Sequence, residues 1–198
     1  EVFHDTRFLG NSRVGNCSKI LKREFIHKWI TKRYAPDECI MYLGIDATEV
    51  PRLTRAQKWW SPYVVESPLT DAPYYDYATL KKWLEDAGIE LPSLYKLGFA
   101  HNNCGGFCVR SGQGQFAHLL KVFPERYAYH EKKEEEIREY LEADVAILRD
   151  RRGGKSKPMT LQAFRARLSE KDKNLNLLEW GGCDCFAPTN NEEKGELL

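Results

Sequence analysis

No run of the sequence approaches the ~20 consecutive apolar residues of a membrane span, and no secretory leader pattern opens it. The first absence sets aside a helical membrane protein. The second makes a reducing, cytoplasmic setting the expectation. Charge of one sign is missing too: 30 Lys and Arg meet 29 Asp and Glu, for a net charge of +1. No global field therefore argues for a nucleic-acid partner. No C-x2-C pair occurs, so the spacing of a zinc ribbon is absent. The chain begins at Glu1 without an initiator Met, and the expectation is that upstream residues are missing.

What is present suits a folded globule, with 198 residues, 42% of them hydrophobic and 12% aromatic. The six cysteines are Cys17, Cys39, Cys104, Cys108, Cys183 and Cys185. A metal or cluster, disulfides and inert thiols are the three readings. C-x3-C and C-x-C are poor spacings for a bridge within one motif, and the expected compartment is reducing, so metal or cluster binding is favoured.

The centre of the sequence is Gly98 to Arg110. It holds Cys104 and Cys108 with Gly105 and Gly106 between them. A helix from Cys104 onward would put both sulfurs on one face, and the glycines would let backbone N–H groups approach an ion closely. Cys17 precedes Ser18, an expected helix cap, and a thiolate is favoured at a helix N-terminus. Trp180-Gly181-Gly182-Cys183-Asp184-Cys185 again sets cysteines beside paired glycines. Four ligands are usual for such sites. Cys17, Cys104, Cys108, Cys183 and Cys185 are the candidates, with either or both of the last pair ligating. Cys39 reads as a small buried residue at a strand start.

The pattern predicts a helix over 18–34 with Ile20, Leu21, Phe25, Trp29 and Ile30 as its buried stripe. Residues 1–16 read as loop. Strands are expected at 40–45 and 63–67, with a short helix between them ending near Trp60. Asp46, Glu49 and Arg52 follow the first strand, where ligands bind in open α/β sheets; capping and a local ion pair are the alternative. Further helices are expected at 76–87 (capped by Asp76, burying Leu80, Trp83 and Leu84, ended by Gly88), 109–123, 124–143 and 160–170, and a short strand at 145–148. The stretch 149–157 carries Arg149, Arg151, Arg152, Lys155 and Lys157. It suits phosphate or a nucleic-acid backbone, or is a solvated loop.

Several motifs then form a resemblance. Pro68-Leu69, Asp76, Leu80-x3-Leu84, Gly88-Ile89 and Leu94-Tyr95-x2-Gly98-Phe99 leading to Cys104 resemble the phosphoadenosine-phosphosulfate (PAPS) reductase family, of the adenine nucleotide alpha hydrolase-like superfamily. Gly44-Ile45 with Glu49 and Arg52 is similar to its substrate-contacting stretch, with Asp46 and Val50 departing from it. Cys17-Ser18-x2-Leu21-Lys22 is similar to its Cys-Cys-x3-Lys stretch, with Asn16 in place of the first cysteine. The family's Ser-Gly-Gly-x-Asp-Ser phosphate loop and its C-terminal Glu-Cys-Gly-Leu-His motif do not occur.

The resemblance implies an α/β fold: a partial Rossmann-like parallel sheet over residues 1–110, with a mostly helical, Cys-rich extension over 111–187 completing the site and a disordered tail at 188–198. Too few strands appear for a whole sheet, so a missing N-terminal segment or a partner chain is expected to supply the phosphate loop. The implied activity is an adenine-nucleotide-dependent sulfur enzyme, reducing a sulfonucleotide or transferring sulfur with ATP. Its implied cofactor is a [4Fe–4S] cluster, and Cys183 or Cys185 is the candidate nucleophile. On this reading Arg52, Arg149, Arg151 and Arg152 meet phosphates, with Lys155 beside them. The competing expectation is a binding module in which zinc staples the cysteines and 149–157 docks nucleic acid or protein.

Overall fold

The computed structural model describes residues 1–9, 15–102 and 104–181. Cys183, Cys185 and the expected tail at 188–198 lie outside the described residues. In chain order the helices are α1 (Val2–Asp5), α2 (Asn16–Ser18), α3 (Phe25–Thr31), α4 (Val50–Trp60), α5 (Tyr77–Asp86), α6 (Ser93–Lys96), α7 (Gln113–Val122), α8 (Pro124–Leu141) and α9 (Leu161–Ser169). The strands are β1 (Ile40–Tyr42), β2 (Val64–Glu66), β3 (Leu148–Asp150) and β4 (Lys157–Met159). The fold is mixed α/β with a small parallel sheet.

Two compact units form among the described residues, one of 1–9 with 92–102 and 104–181, the other of 15–91. Residues 92–102 and 104–181 thus pack in one unit. Tertiary packing is the reason: Phe99 stacks on Phe123 at 6.0 Å, tying the segment before the cysteines to the helices after them.

In the unit built on residues 15–91, β1 and β2 pair in parallel, Ile40 opposite Val64 and Tyr42 opposite Glu66. Crossover helix α4 connects them, as a parallel pair requires. Met41, Leu43 and Val65 share a core with Ile45, Leu53, Ala56 and Trp60, joined by Ile26 and Ile30 from the first helical run. Helices thus cover one sheet face. On the opposite face Ile40, Tyr42 and Val64 are exposed. Ser67 ties the strand ends together: its Oγ accepts from the Ile45 N–H at 3.1 Å and lies 2.5 Å from the Leu43 carbonyl.

The stripe expected on the first helix is corrected. Ile26 and Ile30 face the core, whereas Leu21, Phe25 and Trp29 are exposed. Between α2 and α3 the helix runs as a π-turn, Lys19–Glu24. Such a turn bonds i to i+5, so apolar positions on either side of it lose their common face. The expected burial along α5 is corrected as well. Asp76 does cap it, accepting from the Thr79 N–H at 2.7 Å, and Gly88 follows its end at φ 69°. No residue of α5 is buried, however, and Trp83 meets Tyr75 edge-on at 4.3 Å.

In the other unit α7, α8 and α9 pack on one another around Phe116, Leu119, Tyr127, Ile137, Leu161 and Phe164. Pro124 opens α8 at a position that needs no N–H, and Thr160 caps α9 through the Ala163 N–H. The hairpin β3–β4 is antiparallel, Leu148 opposite Met159. Residues 2–5, expected as loop, form the single turn α1.

Candidate functional site

The cysteine loop is not the expected α-helix. Cys104, Gly105 and Gly106 are consecutive left-handed residues, with φ of 50°, 61° and 84°. Glycine takes this conformation without a Cβ penalty, which explains the Gly-Gly pair. At Gly106 a Cβ would also lie 2.9 Å from the Phe99 ring. The turn closes with the Phe107 N–H donating to the Cys104 carbonyl at 3.1 Å. Two side chains hold its outer carbonyls: Arg126 of α8 donates to Gly105, and Gln115 of α7 donates to Gly106 at 2.8 Å.

This turn brings the two sulfurs together. The Cys104 thiol donates a hydrogen bond to the Cys108 sulfur, which lowers the Cys108 pKa to about 6 against the opposing effect of burial. The Arg110 N–H, the Arg110 charge and the Ser111 hydroxyl add to the effect. Cys104 is exposed and Cys108 half-buried. A thiolate beside an accessible thiol is a chemically competent pair of soft ligands.

The structure also shows where the chain leading to Cys183 runs. Ser111 and Gly181 form an isolated antiparallel bridge. The Gly112 N–H donates to the Trp180 carbonyl at 3.2 Å, the Gly114 N–H donates to the Glu179 carbonyl at 2.8 Å, and Gln113 accepts from the Asn176 N–H at 2.8 Å. Close backbone approach explains three glycines. A Cβ on Gly181 would lie 2.7 Å from the Arg110 carbonyl oxygen, and Cβ atoms on Gly112 and Gly114 would collide with the carbonyls of Glu179 and Leu177. Gly181 is thus fixed beside Ser111, three residues past Cys108 and two before Cys183 in sequence.

Behind the loop, Phe107 stacks flat on His130, 3.4 Å between ring centroids. Burial, with the nearby Arg126 charge, lowers the His130 pKa to about 4, so this imidazole is neutral at pH 7. Arg110, Ser111, Gln115, Arg126 and His130 escaped the sequence reading. The i, i+4 spacing of Arg126 and His130 on one face of α8 was the available signal.

The other expected residues occupy separate places. Cys17 sits in the first turn of the helical run, with Gly15 rather than Ser18 at the cap position, so the expected start shifts toward the N-terminus. Cys39 is half-buried just before β1. Asp46, Glu49 and Arg52 follow the carboxyl end of β1. Asp46 caps the next turn, accepting from the Thr48 N–H at 2.8 Å, and Arg52 pairs with Glu49 at 2.7 Å. The basic stretch is tied down internally. Arg149 bonds Ser156, Arg151 pairs with Glu179 at 3.2 Å, and Arg152 pairs with Asp150 at 2.6 Å. Lys155 is exposed.

Among the described residues, no group of three or more His, Cys, Asp or Glu is placed to hold a metal ion; Cys183 and Cys185 are not among them. No helix of the described residues is long and apolar enough to cross a membrane. In comparisons with known proteins, no family model, no curated protein and no solved structure matches this chain.

Proposed function

We propose that Cys104 and Cys108 are two ligands of a thiolate-held [4Fe–4S] cluster in an adenine-nucleotide-dependent sulfur enzyme of the PAPS reductase-like kind. The observation that carries this reading is the bridge between Ser111 and Gly181. Gly181 stands two residues before Cys183 in sequence, and two residues of chain span at most ~7 Å. The donor set fits the group. One sulfur already favours the thiolate, and Arg110 and Arg126 place positive charge by a loop that would carry a net-negative centre.

Such a cluster supplies electrostatic tuning or electrons to the sulfur chemistry. The chain's own residues do the rest. Arg126 and Gln115 fix the loop carbonyls, Arg110 and Ser111 stabilise the thiolate, and Phe107 with His130 shields its inner side from water. In this reading a cysteine of the 183/185 pair that does not ligate is the nucleophile.

The nucleotide half of the proposal is supported by the parallel pair β1–β2 and by Asp46, Glu49 and Arg52 beyond its carboxyl end, the position where open α/β sheets bind ligands. The exposed apolar face of Ile40, Tyr42 and Val64 supports further polypeptide covering this sheet, because parallel sheets are buried on both faces. That polypeptide, an upstream segment or a partner chain, would complete the Rossmann-like sheet and bring the phosphate loop. Isothermal calorimetry with ATP and with a sulfonucleotide, on the chain joined to its natural upstream sequence, tests the enzyme reading. Micromolar binding lost in Arg52→Ala is the expected result; no heat with either nucleotide overturns it.

A further inference from the structure

The helical run from Asn16 to Thr31 has an apolar face left bare. Leu21, Phe25 and Trp29 are 61%, 66% and 44% exposed, a density of bare apolar surface unusual for one helix face. Tyr34 lies at the end of the same run, exposed, with its ring 6.0 Å from Trp29. Cations interleave with these rings. Lys28 and Lys32 are exposed on the same turns, and Arg33 follows Trp29 by four residues. Arg33 stacks its guanidinium over the Trp29 ring at 4.3 Å and donates to the Trp29 carbonyl at 3.1 Å. From Asn16 to Tyr34 the sequence holds six Lys and Arg and a single acid, Glu24, which pairs with Lys19 at 4.0 Å. The near-neutral whole thus hides a strongly basic helix.

We propose that this outer face of the helical run from Asn16 to Thr31 docks single-stranded nucleic acid, the lysines meeting phosphates and the aromatic rings stacking on unpaired bases. Interleaved rings and cations are what such a strand needs, since each nucleotide offers one charge and one π-face. A duplex hides those faces. A protein partner fits less well, because lysine is depleted from the cores of protein interfaces. An anionic membrane fits less well too. Lys28 and Lys32 lie among the rings, where insertion would bury them, and the apolar stripe has only three members. The basic stretch 149–157, the surface expected from sequence to meet nucleic acid, has its arginines engaged with Ser156, Glu179 and Asp150.

Fluorescence anisotropy of a labelled oligothymidylate with the intact chain tests the proposal. Binding should weaken with salt on a log–log slope of up to about −3, the value for four phosphate contacts on a single strand. Phe25→Ala with Trp29→Ala should weaken it at least about 30-fold, the loss expected when two bases lose their stacking. Lys28→Glu with Lys32→Glu should weaken it at least about 10-fold. All four side chains are exposed, so circular dichroism should show these variants folded. Lys155→Glu with Lys157→Glu should leave binding unchanged. The proposal is overturned by no binding at low salt, by equal binding of a duplex, or by loss in the 155/157 variant instead. Capture on phosphatidylserine vesicles without oligonucleotide binding also overturns it.

Discussion

Both carboxylate oxygens of Glu134 accept backbone N–H groups, one from Ile147 at 2.8 Å and the other from Leu161 at 2.5 Å. The side chain is buried, which raises its pKa, while the two N–H bonds favour the charged form. A single carboxylate therefore joins α8, the approach to β3 and the start of α9. Glu134→Gln keeps one acceptor and turns an NH2 group toward an N–H. It should destabilise the unit by about 2–3 kcal/mol in urea unfolding; a loss under ~0.5 kcal/mol would remove Glu134 from this role. His130 gives a pH signature. Its folded pKa of about 4 lies below the ordinary 6.5, so the unfolded chain binds the proton more readily between these values. Its contribution is complete above pH 6.5 and is lost as pH falls toward 4. His130→Phe keeps a ring on Phe107 and removes the titration. Thermal unfolding of the variant should therefore fall less than that of the parent between pH 7 and pH 4.5, and parallel curves would contradict the assignment.

At the scale of elements, local signals were legible in the sequence and tertiary ones were not. The cap Asp76, the stop at Gly88 and the Pro124 start are written within a few residues, and each is found in the structure. The π-turn at Lys19–Glu24 leaves no such mark, so a stripe drawn at α-helical period merged inward Ile30 with outward Phe25 and Trp29. The cysteine pair was legible by spacing, but its geometry was not: Gly105 and Gly106 signalled a left-handed turn rather than a helix. Gly112 and Gly114 stand at the start of α7. Their purpose, admitting residues 177–181, needed the fold. That close approach is testable. Gly114→Ala should displace the 177–181 segment, destabilise the unit by at least ~2 kcal/mol, and reduce metal loading. Gly44→Ala, where a Cβ meets nothing within 4 Å, should change stability by less than about 1 kcal/mol. Equal effects at the two glycines would sink the packing account.

At the scale of the molecule, two compact units divide the proposed chemistry. Asp46, Glu49 and Arg52 belong to one; Cys104, Cys108 and the chain running up to Cys183 belong to the other. A near-neutral total charge conceals a basic helix in the first unit and a network of paired arginines in the second. The central claim is that the left-handed turn and the Ser111–Gly181 bridge assemble a cluster site. Its most direct test is anaerobic reconstitution with iron and sulfide, read by visible absorption and by metal and sulfide analysis. The account predicts a coloured chain with broad visible absorbance and about one [4Fe–4S] cluster per chain, abolished in Cys104→Ala and Cys108→Ala but retained in Cys39→Ala. A colourless chain holding one equivalent of zinc, or full cluster loading in Cys108→Ala, would contradict it.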